Sequence, residues 1–318
     1  NINDGDSVTG FVEVLGTASA VDFESYELSY RRSDHLTFTR VANSTRAVTG
    51  GLLGKWDTTL LENDSYVLRL ETRDQFGGFS AIERQIGVSG NLKLGNFRLN
   101  FTDLTIPVAG IPITIARTYD TFRADRSGDF AYVWRPEFRN TDLRTSLPKT
   151  GLEDQGIYAA FKPNTKVYVT LPGGQREGFT FTPDIKVLPG FGGNLVIATP
   201  RFTSDRGVKN NLSAGSGNLL VNERGELYAS GGIPWNPSSP DFSGYTLTTP
   251  DGIQYKIDGT GNLNAAIDRN GNALSFSDGG ISSTSGINVT FHRDIKDRIV
   301  SVTDPAGNSV KYAYDIKG

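Results

Sequence analysis

The sequence predicts an almost all-β protein: an N-terminal β-sandwich, then an extended antiparallel β-sheet block that runs into β-hairpin repeats. Three observations point there. Polar and apolar residues alternate with period two in many short runs. Glycine (37) and proline (14) punctuate those runs as "PGG", "DGG", "NGN" and "FGG", the marks of tight turns between strands. No window of helical length carries a capped apolar stripe at period 3.6.

The alternation is clearest in "SYVLRLETRD", where Tyr66, Leu68, Leu70 and Thr72 share one face and Arg69, Glu71 and Arg73 the other. It recurs in "TKVYVTL", "EGFTFTP", "GYTLTTP", "GIQYKID" and "RIVSVTD". Hydrophobic residues make up 37% of the chain and charged ones 21%, enough to build buried cores. The formal net charge of −3 offers no basic face to nucleic acid. Apolar stretches such as "LTIPVAGIPITIA" are short and broken by proline, so no membrane span is expected. The chain contains neither Cys nor Met. That excludes disulfides and thiolate chemistry, and it suits an extracellular or cell-surface setting, where oxidants attack sulfur. Starting at Asn1 and closing inside a repeat, the chain reads as a trimmed or mature fragment.

Three parts follow in order. Residues 1–89 read as a small sandwich, with Tyr26, Leu28 and Tyr30 on one strand face. The run "GLLGKWDTTLLENDSYVLRLETRDQFGG" resembles the fibronectin-III or immunoglobulin-like modules of bacterial surface proteins. Residues 90–248 read as a β-rich block whose least regular stretch, 201–244, is where a binding loop would sit. Residues 249–318 read as an array. "DRNGNALSFSD" and "DPAGNSVKYAYD" share Asp-x-x-Gly-Asn at the same offsets, around Gly271 and Gly307. Five residues after the glycine each has an aromatic, Phe276 or Tyr312. Phe291 and Arg293 of "TFHRD" occupy a degenerate copy. Such self-similarity marks stacked units, none of which buries its face alone.

"VAGIPITIARTYDT", with Arg117, Tyr119 and Asp120, precedes an aromatic "FAYVW" ending at Trp134. Together with the repeats, closing on Asp278 and on Tyr312, Tyr314 and Asp315, it resembles the RHS/YD-repeat family over residues 90–318. Ala131 and Val133 stand where that family usually has glycines. The resemblance implies a non-catalytic structural part of a larger secreted or surface protein. This part would start or cap a β-shell enclosing a C-terminal, toxin-like polypeptide. Its partners would be the rest of the parent chain, further copies of itself, or a surface glycan. The alternative is an adhesin or filament subunit working through strand or glycan contacts, with the edge at 309–315 open to strand addition.

Catalytic readings are weaker. Glu137, Asp142, Glu153 and Asp154 are conceivable hydrolytic carboxylates, but they flank turns or alternate with bases, as surface acids do. His35 and His292 are the only histidines, which argues against a histidine metal centre, and both sit in alternating runs. "GGLLGKW" lacks the spacing and the Ser/Thr of a phosphate loop. "DRNGN" departs from a calcium loop and reads better as an Asn-Gly hairpin turn. No catalytic residue, metal or cofactor is expected. Trp235, in "GGIPWNPSSPDF", is the one candidate for stacking a glycan, weighed against a plug that pins its loop to the core. The tyrosines at 312 and 314 are read as rings stacking on neighbouring strands, with Asp315 opening the next turn.

Overall fold

The structure, a computed structural model, describes residues 1–123, 127–132, 134–190, 193–215 and 217–315. It is nearly all β. Seven strands come first: β1 (Ser7–Val8), β2 (Phe11–Ala18), β3 (Phe23–Arg32), β4 (Thr39–Ser44), β5 (Val48–Asp57), β6 (Asp64–Asp74) and β7 (Phe79–Val88). One sheet runs β1-β7-β6-β3-β4, and β2 pairs with β5 in a second. Period-two alternation gives each sheet one apolar face, and Val14, Leu28, Leu53, Trp56, Tyr66 and Leu68 from both fill one core. "GGLLGKW" lies in β5, as strand rather than loop.

Next come β8 (Arg98–Ile106), β9 (Ile113–Asp120), β10 (Ser127–Gly128), β11 (Ala131–Tyr132) and β12 (Trp134–Pro136). The order β12-β9-β8 makes a three-stranded layer, and β10 pairs with β11. Ala131 takes φ 70°, so the backbone keeps the left-handed turn that glycine suits, with a methyl group in place. Val133 lies outside the described residues.

Then follow β13 (Arg144–Thr145), β14 (Lys166–Thr170), β15 (Arg176–Phe181), β16 (Asp184–Gly190), β17 (Gly193–Thr199), β18 (Phe202–Ser204), β19 (Asn211–Ser213), β20 (Leu219–Val221) and β21 (Leu227–Tyr228). They build the four-stranded sheets β13-β14-β15-β18 and β16-β17-β20-β21. The stretch 201–244, expected to be a loop, supplies four of these short strands. It also gives Leu212, Leu219, Leu227 and Trp235 to a core shared with Phe161, Phe179 and Phe181. Its exposed glycines, such as Gly207, Gly231 and Gly232, take positive φ and mark sharp reversals between these short strands.

The last eight strands are β22 (Tyr245–Thr248), β23 (Gln254–Ile257), β24 (Leu263–Ile267), β25 (Ala273–Ser277), β26 (Gly280–Ser283), β27 (Asn288–Arg293), β28 (Ile299–Thr303) and β29 (Ser309–Lys311). With β19 at one edge they form a nine-stranded meander in chain order. This sheet runs across the boundary expected at 248/249, because Tyr245 to Thr248 pair with Ile257 to Gln254. His292 lies in β27, whereas His35 sits in the loop after β3.

The turns explain the repeated Asp-x-x-Gly. At Asp268 the backbone N–H donates to Asn272 O at 2.9 Å, and Gly271 N–H donates back to Asp268 O at 3.1 Å. Three residues therefore close the hairpin, with Gly271 at φ 85°, the arrangement of a turn ending in a glycine bulge. The carboxylate finishes it: Asp268 Oδ1 accepts from the N–H groups of Asn270 and Asn272 at 2.8 and 2.9 Å. Asp258, Asp294 and Asp304 do the same. Asp297 replaces the glycine at φ 61°. Two further turns use a hydroxyl in place of the carboxylate, at Thr249 and Ser283.

Asp268, Asp294 and Asp304 each have a carboxyl held below its usual range, first by the side chain of Asn272, Arg298 or Asn308 and then by backbone donors. A depressed carboxyl stabilises the fold above its unfolded value of 3.8 and loses that contribution as pH falls through the lower folded value. Replacing all three by Asn, which keeps an acceptor but cannot titrate, is expected to flatten the loss of stability below pH 3.8. Urea midpoints at pH 5 and at pH 3 check this.

Candidate functional site

The residues singled out by sequence meet where the β8-β9-β12 layer lies across the nine-stranded sheet. Ile113 and Ile115 of β9, with Phe130 and Phe138, pack on Leu274, Ile281, Val289, Phe291, Ile299 and Val302. At the rim of this core Arg117 clasps Tyr312. Its guanidinium lies 5.2 Å from the Tyr312 ring, 5.6 Å from Trp134 and 5.9 Å from Phe130. Asp103 closes the arrangement. It accepts from Arg117 Nε and Nη2 at 2.6 and 2.9 Å and from the Tyr312 hydroxyl at 2.8 Å. The Asp103 hydrogen bond raises the Arg117 pKa. Burial, then Asp103, raise that of Tyr312. Tyr312 thus stacks on the covering layer, not on neighbouring strands of its own sheet.

The other motif residues surround this clasp. Tyr119 meets Phe97 and Trp134 edge-on at 6.2 and 5.6 Å. Asp120, 1% exposed, pairs with Arg98 at 2.6 Å. Phe276 and Phe291 stack on Phe138 of the covering layer at 6.0 and 5.4 Å. Asp278 pairs with Arg139, and Arg293 ties the carbonyl of Asp278 to the carboxylate of Asp129. Tyr314 lies under Arg298 at 4.3 Å and donates to Ile299 O at 2.5 Å. Asp315 is exposed at the end of the described chain. Gly271 and Gly307 sit apart, in the turns.

A second gathering joins the sandwich to the block after it, and sequence reasoning missed it. Arg176, 4% exposed in its side chain, donates to Asn63 O, Asp142 O, Thr170 Oγ1, Asp142 Oδ2 and Asp64 Oδ2 at 2.7–3.2 Å. Arg144 reaches Glu62 at 3.2 Å, Asp142 at 2.5 Å, and Asp64. Burial acts to lower the pKa of both arginines, but the surrounding carboxylates outweigh it and raise them. Asp142, read as a surface acid, is 6% exposed. The only sequence signal was alternation of charge, which solvated strands also show.

Beside this network opens a cleft of about 490 Å³, lined among others by Asp34, His35, Arg144, Glu153 and Tyr158. Its acids are already engaged. Asp34 accepts from Arg32 at 2.5 Å, and Glu153 accepts from the N–H groups of Thr150 and Gly151 at 2.6 and 3.1 Å. Of the remaining candidates, Glu137 accepts from Thr118 and Asn100, and Asp154 is exposed. Among the described residues no three His, Asp or Glu side chains gather to hold a metal.

On the other side of the network, Lys93 lines a polar cavity with Glu62, Arg98 and Arg176. Burial, opposed by Glu62, pushes its ammonium down from 10.5 to about 8. Between those values the unfolded chain binds more protons than the folded one, so stability rises with pH across the window. Urea midpoints are expected to climb from pH 8 to 10 in the native sequence and to lose that climb in Lys93→Met.

Of the two readings of Trp235, the structure supports the plug and not the glycan contact. It is 2% exposed, and its ring lies 5.3 Å from Phe161 and 5.2 Å from Phe181. No face is open to a sugar, because its own backbone pairs with Phe161 and Leu227 and draws the ring into the core. Compared with protein-family models and with curated proteins, the chain matches none.

Proposed function

We propose that this chain is a non-catalytic structural part of a larger secreted or surface YD-repeat protein. In this reading it forms the start or cap of a β-shell around a C-terminal polypeptide. The observation that carries the reading is the clasp of Arg117, Asp103 and Tyr312. It joins the Arg-Thr-Tyr-Asp block to the Tyr-Ala-Tyr-Asp segment through Asp103, which lies 209 residues from Tyr312 in the chain, so the flagged residues seal one layer onto another. A meander whose turns are mostly capped by a side-chain oxygen extends by adding hairpins, one strand at a time. The absence of Cys and Met supports an oxidising location.

Limited proteolysis of the full-length protein tests this. A polypeptide following the repeats should resist protease in the native state and become cleavable once the scaffold is loosened by urea. Equal cleavage in both states would overturn the enclosure.

The hairpin β16–β17 favours a second reading, an adhesin or filament subunit. Ile185, Val187, Leu188 and Leu195 on it are 43–55% exposed, which suits contact between chains. Sedimentation that shows concentration-dependent association, lost in Val187→Asp, would support that reading over the shell.

A further inference from the structure

The inner face of the β8-β9-β12 layer is apolar on both sides of the Arg117–Asp103 pair, yet only one of those sides is covered. Register places Leu104 and Ile106 opposite Ile115 and Ile113, and Leu99 and Phe101 opposite Tyr119 and Arg117. Trp134 is opposite Tyr119 on the other side. Alternation along β9, together with the bulge between Thr102 and Leu104 that shifts the register of β8, puts all these side chains on one face. The half carrying Ile113 and Ile115, both 0% exposed, lies on the nine-stranded sheet. Tyr312, just after β29, is the last ring beneath it. Beyond Tyr312 the same face continues as Phe97, Leu99 and Phe101, which are 55%, 40% and 50% exposed, beside Tyr119 and Trp134. β29 is the outermost strand of its sheet, and among the described residues no strand pairs with its outer edge.

We infer that Phe97, Leu99, Phe101, Tyr119 and Trp134 form the seat for one further antiparallel strand hydrogen-bonded to the outer edge of β29. That strand presents large apolar or aromatic side chains at alternate positions. The uncovered face continues an interface that already holds strands of this kind through the same layer, with Phe276, Phe291 and Tyr312 as their rings. A free strand edge and an apolar face adjoin, so one strand satisfies both. The occupant is a hairpin of the repeat type, and the inference rests on the scaffold reading above.

The chain carries three tryptophans. Trp56 and Trp235 are each 2% exposed, so iodide quenching reports Trp134. The test fuses a second copy of residues 294–314 after Gly318 through a short Gly-Ser linker, which supplies a high effective concentration. Quenching of Trp134 should fall in the fusion relative to the unfused chain. It should not fall in the fusion carrying Leu99→Asp and Phe101→Asp relative to the unfused chain with the same two changes, the reference needed because Phe101 itself lies 5.8 Å from Trp134. Those substitutions lie on exposed positions, and losing two apolar contacts weakens seating about tenfold or more. Unchanged quenching in the first fusion would overturn the inference. Equal protection in both fusions would also overturn it, by placing the added strand elsewhere. Protection of Trp134 that appears in the unfused chain as its concentration rises would replace the hairpin by a second copy. A protease-protected downstream polypeptide alongside an unprotected Trp134 would reject the seat while keeping the scaffold.

Discussion

Arg176→Met is expected to destabilise the chain by about 3–5 kcal/mol, the cost of breaking a buried ion network by removing one partner. Arg176 meets Asp64 and Asp142 at 3.2 Å and Glu62 at 3.9 Å. Met fills much of its volume but takes away the charge that bridges Glu62, Asp64 and Asp142. The damage falls on a junction, because Glu62 and Asp64 belong to the sandwich while Asp142 and Arg176 belong to the block after it. Unfolding should therefore lose cooperativity as well as midpoint. The two buried tryptophans report the two sides, Trp56 the sandwich core and Trp235 the block. Urea transitions followed at each should coincide in the native sequence and separate in the variant. Adding Asp64→Leu should cost less than the two single changes summed, since it removes one of the stranded charges.

Trp235→Ala is expected to cost about 3–5 kcal/mol, as large-to-small changes in cores do. The ring fills the meeting point of Phe161, Phe181 and Phe242, where segments far apart in sequence converge. Rigid rings on three sides collapse poorly into the cavity. Chemical denaturation of Trp235→Ala against Trp235→Phe checks it, with the Phe variant recovering most of the loss. A surface role would leave both variants within about 0.5 kcal/mol of the native sequence.

Local chemistry was readable from sequence, and long-range packing was not. Asp268, Gly271 and Asn272 announce their turn because every bond in it lies within five residues. The same turns at Thr249 and Ser283 escaped notice because a hydroxyl replaces the carboxylate there, although it caps the backbone in the same way. The strands around Tyr66 and Tyr245 followed from alternation alone. Trp235 sits among Gly, Pro and Ser, so composition reads loop, whereas the ring's burial depends on Phe161 and Phe181, more than fifty residues away. Arg176 and Asp142 look like solvated charges until β13 and β15 bring them against the sandwich. Arg117 and Tyr312 were each flagged by motif, yet nothing local says that one lies on the other.

That pairing is the centre of the account, and a double-mutant cycle tests it most directly. Arg117→Met and Tyr312→Leu each remove one side of the clasp, and their urea-derived stabilities are compared with those of the double variant. A partly buried cation over a ring, bridged by a shared carboxylate, predicts a coupling of about 1 kcal/mol or more. Additivity within about 0.3 kcal/mol would contradict the claim that these motif residues act by holding the covering layer to the hairpin array.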